Sequence, residues 1–279
     1  MVYLRMLRLK DQYLSLLAVF IFSLHFRLNI FFTFAWATGL FFLSLTAFMI
    51  NELTDRNDTD LFTWNPNHIS PKSKVNPAIF WSLFTIFTLI GLFICLNLKM
   101  IWWGLAVFII GVLYSLKPVR FKNRFLLDAL AQLAVWWTLP ILGLLWKTNY
   151  FFPANLRLIF ISSLFFWTLF FPYQLADYSA DKKAGLKGTH TILGMENSLL
   201  LGITIGLASL ALLPTIPQFL NFWVTKLGII SLIITLASYL IWLQKKNLPG
   251  QEAGMQKYVR CYKPLSRIIT FVAALLLFF

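Results

Sequence analysis

Carboxylates are concentrated at two places in this chain. Six of its ten acidic residues lie in two short clusters: Glu52, Asp55, Asp58 and Asp60 in the first, and Asp177 and Asp181 in the second. Asn51, Asp55 and Asp58 are spaced i, i+4, i+7, and the second pair is spaced i, i+4. Each set therefore lies on one face if its segment is helical. We call residues 51–60 the first acidic motif and residues 177–187 the second.

Stacked carboxylates repel one another, so two such motifs require a cation. The available ligands are oxygen atoms, and neither His nor Cys is clustered anywhere in the sequence. Oxygen ligands favour hard ions over transition metals. The motifs therefore predict Mg²⁺ as the bound ion.

The elements that carry these motifs are predicted to be transmembrane helices. Hydrophobic residues make up 59% of the chain, and its mean hydropathy is +0.75. This composition is typical of integral membrane proteins and predicts an all-α protein with a single domain, residues 1–279. Apolar runs long enough to cross a bilayer predict nine helices. They lie near 12–27, 30–51, 76–97, 99–116, 125–146, 156–178, 197–217, 222–244 and 264–279.

The distribution of basic residues predicts the orientation of these spans. The N-terminus and the loops after helices two, four, six and eight hold about 18 of the 24 Lys and Arg residues. This places the N-terminus and both acidic motifs on the cytoplasmic face. The net charge of +14 is explained by this topology and by attraction to anionic membrane lipid, so no nucleic-acid partner is expected.

Basic residues near the motifs indicate a phosphorylated substrate. Arg56 lies in the first motif, Lys182, Lys183 and Lys187 lie in the second, and residues 117–124, which we call the basic loop, carry Lys117, Arg120, Lys122 and Arg124. A positive rim around bound metal suits a diphosphate. In a chain with 29 Phe and 11 Trp, the rest of such a substrate is expected to be isoprenoid, because aromatic faces stabilise an allylic cation.

Three segments resemble the motifs of the UbiA superfamily of intramembrane prenyltransferases. Asn51-Glu52-x-x-Asp55 resembles the first family motif, and Asp177-x-x-x-Asp181-x-Lys183-x-Gly185-x-Lys187 the second. The segment 114–122, Tyr-Ser-Leu-Lys-Pro-Val-Arg-Phe-Lys, is similar to the family's Tyr-Ser-x-Pro-Pro-x-Arg-x-Lys. The resemblance covers nearly the whole chain and implies nine helices around a central cavity.

The resemblance implies roles for most of the candidate residues that follow, and charge and helical spacing add Asp58, Lys117, Tyr173 and Gln174. Asp55, Asp177 and Asp181 would be catalytic, and the expected ligands of Mg²⁺ are Asn51, Asp55, Asp58, Asp177 and Asp181. The residues expected to bind diphosphate are Lys117, Arg120, Lys122, Lys183 and Lys187. Residues that could line the cavity are Tyr114, Tyr173 and Gln174.

The first motif departs from the family pattern Asn-Asp-x-x-Asp-x-x-x-Asp. Its last position is Thr59, flanked by Asp58 and Asp60, and Glu52 replaces the more common Asp. If the helix continues, Asp58 lies one turn after Asp55 and is the better replacement for the last motif carboxylate. If the helix has ended, Asp60 is also a candidate.

These features predict a Mg²⁺-dependent enzyme that transfers a prenyl group from a prenyl diphosphate to a lipophilic acceptor, aromatic by family analogy. One alternative is an intramembrane terpene cyclase, in which the substrate's own double bond captures the cation. Another is a non-catalytic carrier or transporter of phosphorylated isoprenoid lipids.

Overall fold

The computed structural model describes residues 2–9, 13–61, 69–149, 151–174, 177–215, 228–229 and 232–241. Within these ranges the regular elements are helices, which confirms the predicted all-α class. The α-helices are α1 Val2–Met6, α2 Tyr13–His25, α3 Ile30–Arg56, α4 Pro77–Asn97, α5 Ile101–Ser115, α6 Leu127–Leu133, α7 Leu139–Thr148, α8 Pro153–Gln174, α9 Tyr178–Lys183, α10 Thr189–Leu212 and α11 Leu232–Ile241. A π-helical turn, Ala134–Thr138, joins α6 to α7.

Helices coincide with the first eight predicted spans, although α11 covers only part of the eighth. The ninth, 264–279, lies outside the described residues, so the number nine stays a prediction. Four described helical segments are long and apolar enough to cross a membrane: Ile30–Arg56, Pro77–Asn97, Leu127–Thr148 and Thr189–Thr215.

The chain forms two compact units. The first comprises Met1–Tyr150 and Lys183–Gly188, and the second comprises Phe151–Lys182 and Thr189–Phe279. The second acidic motif is therefore divided: its two carboxylates belong to the second unit, and Lys183 and Lys187 belong to the first.

Helix α3 is the central element of the first unit and packs against α4 and α5. Glycine allows these helices to approach closely. A Cβ atom on Gly91 would lie 2.7 Å from the side chain of Leu43, and one on Gly104 would lie 2.6 Å from Sγ of Cys95. Small residues at helix contacts are how membrane helices gain van der Waals contact, because lipid offers no hydrophobic driving force between them.

Local capping sets where these helices begin and end. The side chain of Asn29 accepts a hydrogen bond from the backbone N–H of Phe31 at the start of α3, and Asn76 accepts one from Ala78 at the start of α4. Both are N-cap interactions that satisfy otherwise unpaired backbone N–H groups. Helix α3 ends at Arg56, where the backbone N–H of Asn57 bonds back to the carbonyl of Thr54. This end carries the first acidic motif.

In the second unit, α10 packs on α8. Hydroxyl groups also join the helices: Oγ1 of Thr235 in α11 donates to the carbonyl oxygen of Thr168 in α8 at 3.0 Å. Helix α9 is short and precedes α10 in sequence. Asp177 lies directly before α9 and Asp181 lies within it.

The close contact between α3 and α4 gives a stability prediction. We expect Gly91→Val to destabilise the protein by about 1–3 kcal/mol, because the added side chain overlaps Leu43. The measurement is the thermal-unfolding midpoint in detergent. The matched control is Leu89→Val on the same helix, where the side chain is mostly exposed and the change should stay within about 0.5 kcal/mol. Equal shifts for the two variants would contradict close packing at Gly91.

Candidate functional site

The first acidic motif occupies the last turns of α3 and the residues directly after it. Asn51 is fixed by a neighbouring helix: Oγ of Ser115, the last residue of α5, donates to Oδ1 of Asn51 at 2.6 Å. Ser115 is buried. This bond joins the end of α3 to the point where α5 passes into the basic loop.

Two carboxylates of the first motif form ion pairs with the basic loop. Asp55 pairs with Lys122 through Oδ1. Oδ2 of Asp58 lies 2.5 Å from Nη1 of Arg120 and 3.7 Å from Nζ of Lys117. The structure thus brings together five of the predicted site residues. Their charges, two negative and three positive, nearly balance at the end of an apolar helix.

Arg120 has the geometry of an anion-binding residue. Its side chain is only 7% exposed, and Nη1 is engaged by Asp58. Its Nε and Nη2 atoms are buried and have no hydrogen-bond partner within the described parts of the chain. Buried donors without acceptors are costly, so they favour an anion. The backbone of Arg120 is left-handed, with φ 40°, a strained conformation that is concentrated at functional sites.

Asp58 and Asp60 have different surroundings after the end of α3. The helix has ended by Asn57, yet Asp58 faces the same basic loop that pairs with Asp55. Asp60 lies in a short 3₁₀ turn, Thr59–Leu61, and is buried there. The pairing therefore groups Asp58 with Asp55.

Glu52 plays a different part from the other carboxylates of the motif. It is completely buried, and both oxygens are engaged: Oε1 pairs with Nε of Arg8, and Oε2 accepts from the backbone N–H of Ile69 at 3.0 Å. Met6 and Leu7 beside Arg8 pack in one apolar cluster with residues of α3 and α4. Glu52 therefore anchors the N-terminal segment to the site helix.

Lys183 and Lys187 of the second motif lie in the first unit, whereas Lys182 lies in the second. The backbone N–H of Lys187 donates to Oδ1 of Asn123 in the basic loop at 2.7 Å. The side chains of Lys183 and Lys187 are exposed. The segment Lys183–Gly188 is thus tied to the loop that carries Arg120.

The carboxylates of the second motif are described within the second unit. Asp177 is exposed, and its carbonyl accepts from the backbone N–H of Asp181 at 2.8 Å, so the two residues are one helical turn apart as predicted. Oδ2 of Asp181 lies 2.8 Å from Nε2 of His190, a buried residue in the first turn of α10.

The residues predicted to line a cavity have separate environments. The hydroxyl oxygen of Tyr114 accepts a hydrogen bond from Nε2 of Gln132. Gln174 is buried at the end of α8, and its Oε1 has no hydrogen-bond partner among the described residues. The side chain of Tyr173 lies outside the described part of the structure.

The donor set of the first motif fits Mg²⁺. No group of three or more His, Cys, Asp or Glu side chains is close enough to hold a metal within the ranges described. Mg²⁺ does not need one, because it is commonly bound by one or two carboxylates together with water and substrate phosphates. Asp55 and Asp58 supply two carboxylates, and Asn51 adds an amide oxygen.

Several contacts at the site could not be read from the sequence. Ser115, Asn123 and Gln132 are neutral residues whose partners are distant in the chain. Arg8 and His190 have partners 44 and 9 residues away. The spacing of nine residues between Asp181 and His190 follows no helical period. No pattern in the sequence indicates either pair.

These observations define an integral membrane protein whose polar site combines carboxylates with cations at the end of a spanning helix. Residues 13–258 match the model of the UbiA prenyltransferase family, and the chain belongs to this family. It is therefore a prenyltransferase, as its motifs predict.

Relatives with assigned names agree with this membership. The chain is similar to 4-hydroxybenzoate octaprenyltransferase from Yersinia enterocolitica serotype O:8 / biotype 1B, with 26% identity over 219 residues, 77% of this chain and 72% of that protein. It is 25% identical over 215 residues to the protein of the same name from Pectobacterium atrosepticum, covering 74% and 70%.

Solved structures show the same fold. A UbiA homolog from Archaeoglobus fulgidus bound to DMAPP and Mg²⁺ superposes with a TM-score of 0.75 at 19% identity, covering 100% of this chain and 98% of that one. The same homolog bound to GPP and Mg²⁺ gives a TM-score of 0.70 over 98% and 99% of the two chains.

The pair formed by Arg8 and Glu52 gives a second stability prediction. We expect Arg8→Met to cost about 3–5 kcal/mol, because it leaves a buried carboxylate without its positive partner. Arg8→Met combined with Glu52→Gln should recover most of this loss, since glutamine is neutral and still offers an oxygen to the N–H of Ile69. Denaturant unfolding in micelles measures both variants. A double variant as unstable as the single one would contradict the anchoring role of the charge pair.

Proposed function

We propose that the protein transfers a prenyl group from a prenyl diphosphate to a lipophilic, aromatic acceptor, with Mg²⁺ bound at the acidic motifs. One observation carries the proposal. Asp55 and Asp58 both pair with the basic loop, and in that loop Arg120 has two buried donor atoms without partners within the described structure. The site thus combines ligands for a cation with donors for an anion.

Asn51, Asp55 and Asp58 would hold Mg²⁺ in the first unit. We assign the same role to Asp177 and Asp181 from the resemblance of the second motif. When bound, the metal would neutralise the negative charge that develops on the leaving diphosphate. The Archaeoglobus fulgidus homolog was solved with Mg²⁺ and a prenyl diphosphate, which supports this assignment.

The basic loop would change partners when substrate binds. In the structure Lys122 and Arg120 neutralise Asp55 and Asp58. If a divalent cation takes over that neutralisation, these side chains become available to donate to diphosphate oxygens. Arg120 is suited to the task because its planar guanidinium can donate two parallel hydrogen bonds to one phosphate. Lys117, Lys183 and Lys187 would add positive charge around the same anion.

The proposed reaction breaks the C1–O bond of the donor and one C–H bond of the acceptor and forms one C–C bond, and the proton passes to water. The bond between the prenyl C1 and the diphosphate oxygen breaks, and its electron pair leaves with the diphosphate. The electron-rich acceptor forms a new bond to the allylic carbon and then loses a proton. Side chains of the basic loop hold the leaving group by charge-assisted hydrogen bonds, which strengthen as its negative charge grows.

The named relatives support an aromatic acceptor. Both are called 4-hydroxybenzoate octaprenyltransferase, so 4-hydroxybenzoate is the first acceptor to test and an octaprenyl chain the first donor. We further propose that the site opens on the cytoplasmic face, as the distribution of Lys and Arg predicts, and that anionic membrane lipid contacts this face.

The first motif offers a matched pair of carboxylates. We expect Asp58→Asn to lower the rate of diphosphate release by about 100-fold or more, because Asp58 is placed with Asp55 opposite the basic loop. Asp60→Asn should stay within about threefold of the unmodified protein. Release is measured with purified protein, prenyl diphosphate and Mg²⁺, and thermal midpoints confirm that both variants are folded. Equal losses in the two variants would contradict the assignment of Asp58.

The activity itself is tested by product analysis. Purified protein in lipid vesicles is incubated with Mg²⁺ and octaprenyl diphosphate, with and without 4-hydroxybenzoate, and the lipid extract is analysed by mass spectrometry. We expect a prenylated aromatic product only when the acceptor is present, and none from Asp55→Ala. A hydrocarbon formed without acceptor would identify a cyclase instead. If the protein binds prenyl diphosphate but releases no diphosphate with any acceptor or any length of prenyl chain, the result would favour a carrier.

A further inference from the structure

Asp181 is held by a side chain that lies outside the second acidic motif, residues 177–187. Nε2 of His190 lies 2.8 Å from Oδ2 of Asp181. The side chain of His190 is 7% exposed and that of Asp181 is 16% exposed, so the pair is largely shielded from competing water. A hydrogen bond in such surroundings is stronger than the same bond in water.

The residues around this pair form a compact frame. Tyr178 lies one turn before Asp181 on α9, and its ring contacts the ring of His190 with centroids 6.3 Å apart. Tyr178 also packs against Met195 and Leu199 of α10. The imidazole is therefore packed against a ring of the helix that carries Asp181, and that ring is itself packed on α10.

We propose that His190 is a positioning residue that orients the carboxylate of Asp181 for cation binding. This inference rests on the proposed function, in which Asp181 is a ligand of Mg²⁺. A carboxylate with one oxygen bonded to a fixed imidazole cannot rotate without breaking that bond, which restricts where its lone pairs point. Bonds of this kind orient ligands in metal sites, and their loss typically weakens metal binding 10- to 100-fold.

A purely structural role for His190 and a positioning role predict different effects of losing this side chain. If the pair only holds α9 to α10, its loss lowers the unfolding temperature and leaves the metal requirement unchanged. If His190 orients Asp181, its loss raises the Mg²⁺ concentration needed for binding, and a side chain that can donate at the same place restores it. The two roles therefore predict different Mg²⁺ affinities, which are measured independently of stability.

The variants are His190→Leu, which removes the donor, and His190→Gln, whose amide nitrogen can reach the position of Nε2. The control is Ser198→Ala in α10, which removes a buried hydrogen bond of 2.7 Å to the carbonyl of Gly194. Asp181→Asn tests the ligand itself. Each purified protein is titrated with Mg²⁺ in the presence of inorganic diphosphate, and the rise in its thermal-unfolding midpoint is recorded. Diphosphate release from prenyl diphosphate is measured over the same Mg²⁺ range.

We expect His190→Leu to raise the half-saturating Mg²⁺ concentration about 10-fold or more in both titrations, with a smaller effect on the rate at saturating Mg²⁺. His190→Gln should recover most of the affinity. Ser198→Ala should lower only the midpoint measured without Mg²⁺. If His190→Leu is too unstable to purify, His190→Gln compared with His190→Asn, whose amide is one methylene shorter, provides the same test.

An unchanged half-saturating Mg²⁺ concentration in His190→Leu would overturn the proposal and leave a structural role. An unchanged concentration in Asp181→Asn would overturn the assignment of Asp181 as a ligand, and the positioning role with it. A loss of affinity in Asp181→Asn but not in His190→Leu would reject His190 and leave the proposed function intact.

Discussion

Charge at the end of an apolar helix must be neutralised, and the organisation of the first unit follows from this constraint. Helix α3 is apolar over most of its length, and four carboxylates lie within nine positions, 52–60, in its last turns and directly after its end. Removing an ion from water costs several kcal/mol unless a partner and hydrogen bonds compensate. The partners come from two separate parts of the chain, the N-terminal segment and the basic loop, and both form ion pairs with carboxylates at the end of α3.

The two kinds of partner give the carboxylates two kinds of role. Glu52 is fully buried and bonded by both a guanidinium and a backbone N–H, an arrangement that fixes structure. Asp55 and Asp58 are partly accessible, and their partners belong to a loop. A partly accessible carboxylate can change its positive partner at a lower cost than a fully buried carboxylate such as Glu52, which would be left as an uncompensated charge. In the proposed function, one acidic motif therefore combines an anchoring carboxylate with two carboxylates whose basic partners are replaced when metal and substrate bind.

Features that depend on local interactions could be predicted from the sequence, whereas contacts between distant segments could not. Helices α2 to α5 were predictable because apolar runs and capping residues such as Asn29 and Asn76 are local signals. The motif carboxylates were recognisable because they share a helical period and because charge is rare in this chain. The partners were not: that Lys122 faces Asp55, or that Arg8 faces Glu52, depends on how distant segments pack. Similarly, Asp58 is aligned by Arg120 after the helix has ended, so helical geometry alone could not select it.

The anchor between Arg8 and Glu52 also constrains how the protein is made. The two residues are 44 positions apart, with α2 and most of α3 between them. During synthesis Arg8 leaves the ribosome before Glu52 does, so the pair cannot form until α2 and most of α3 have been synthesised. Chains fold progressively from the N-terminus as they are synthesised. Formation of this pair therefore requires that α2 and α3 already form a helical hairpin that brings the N-terminal segment to the end of α3.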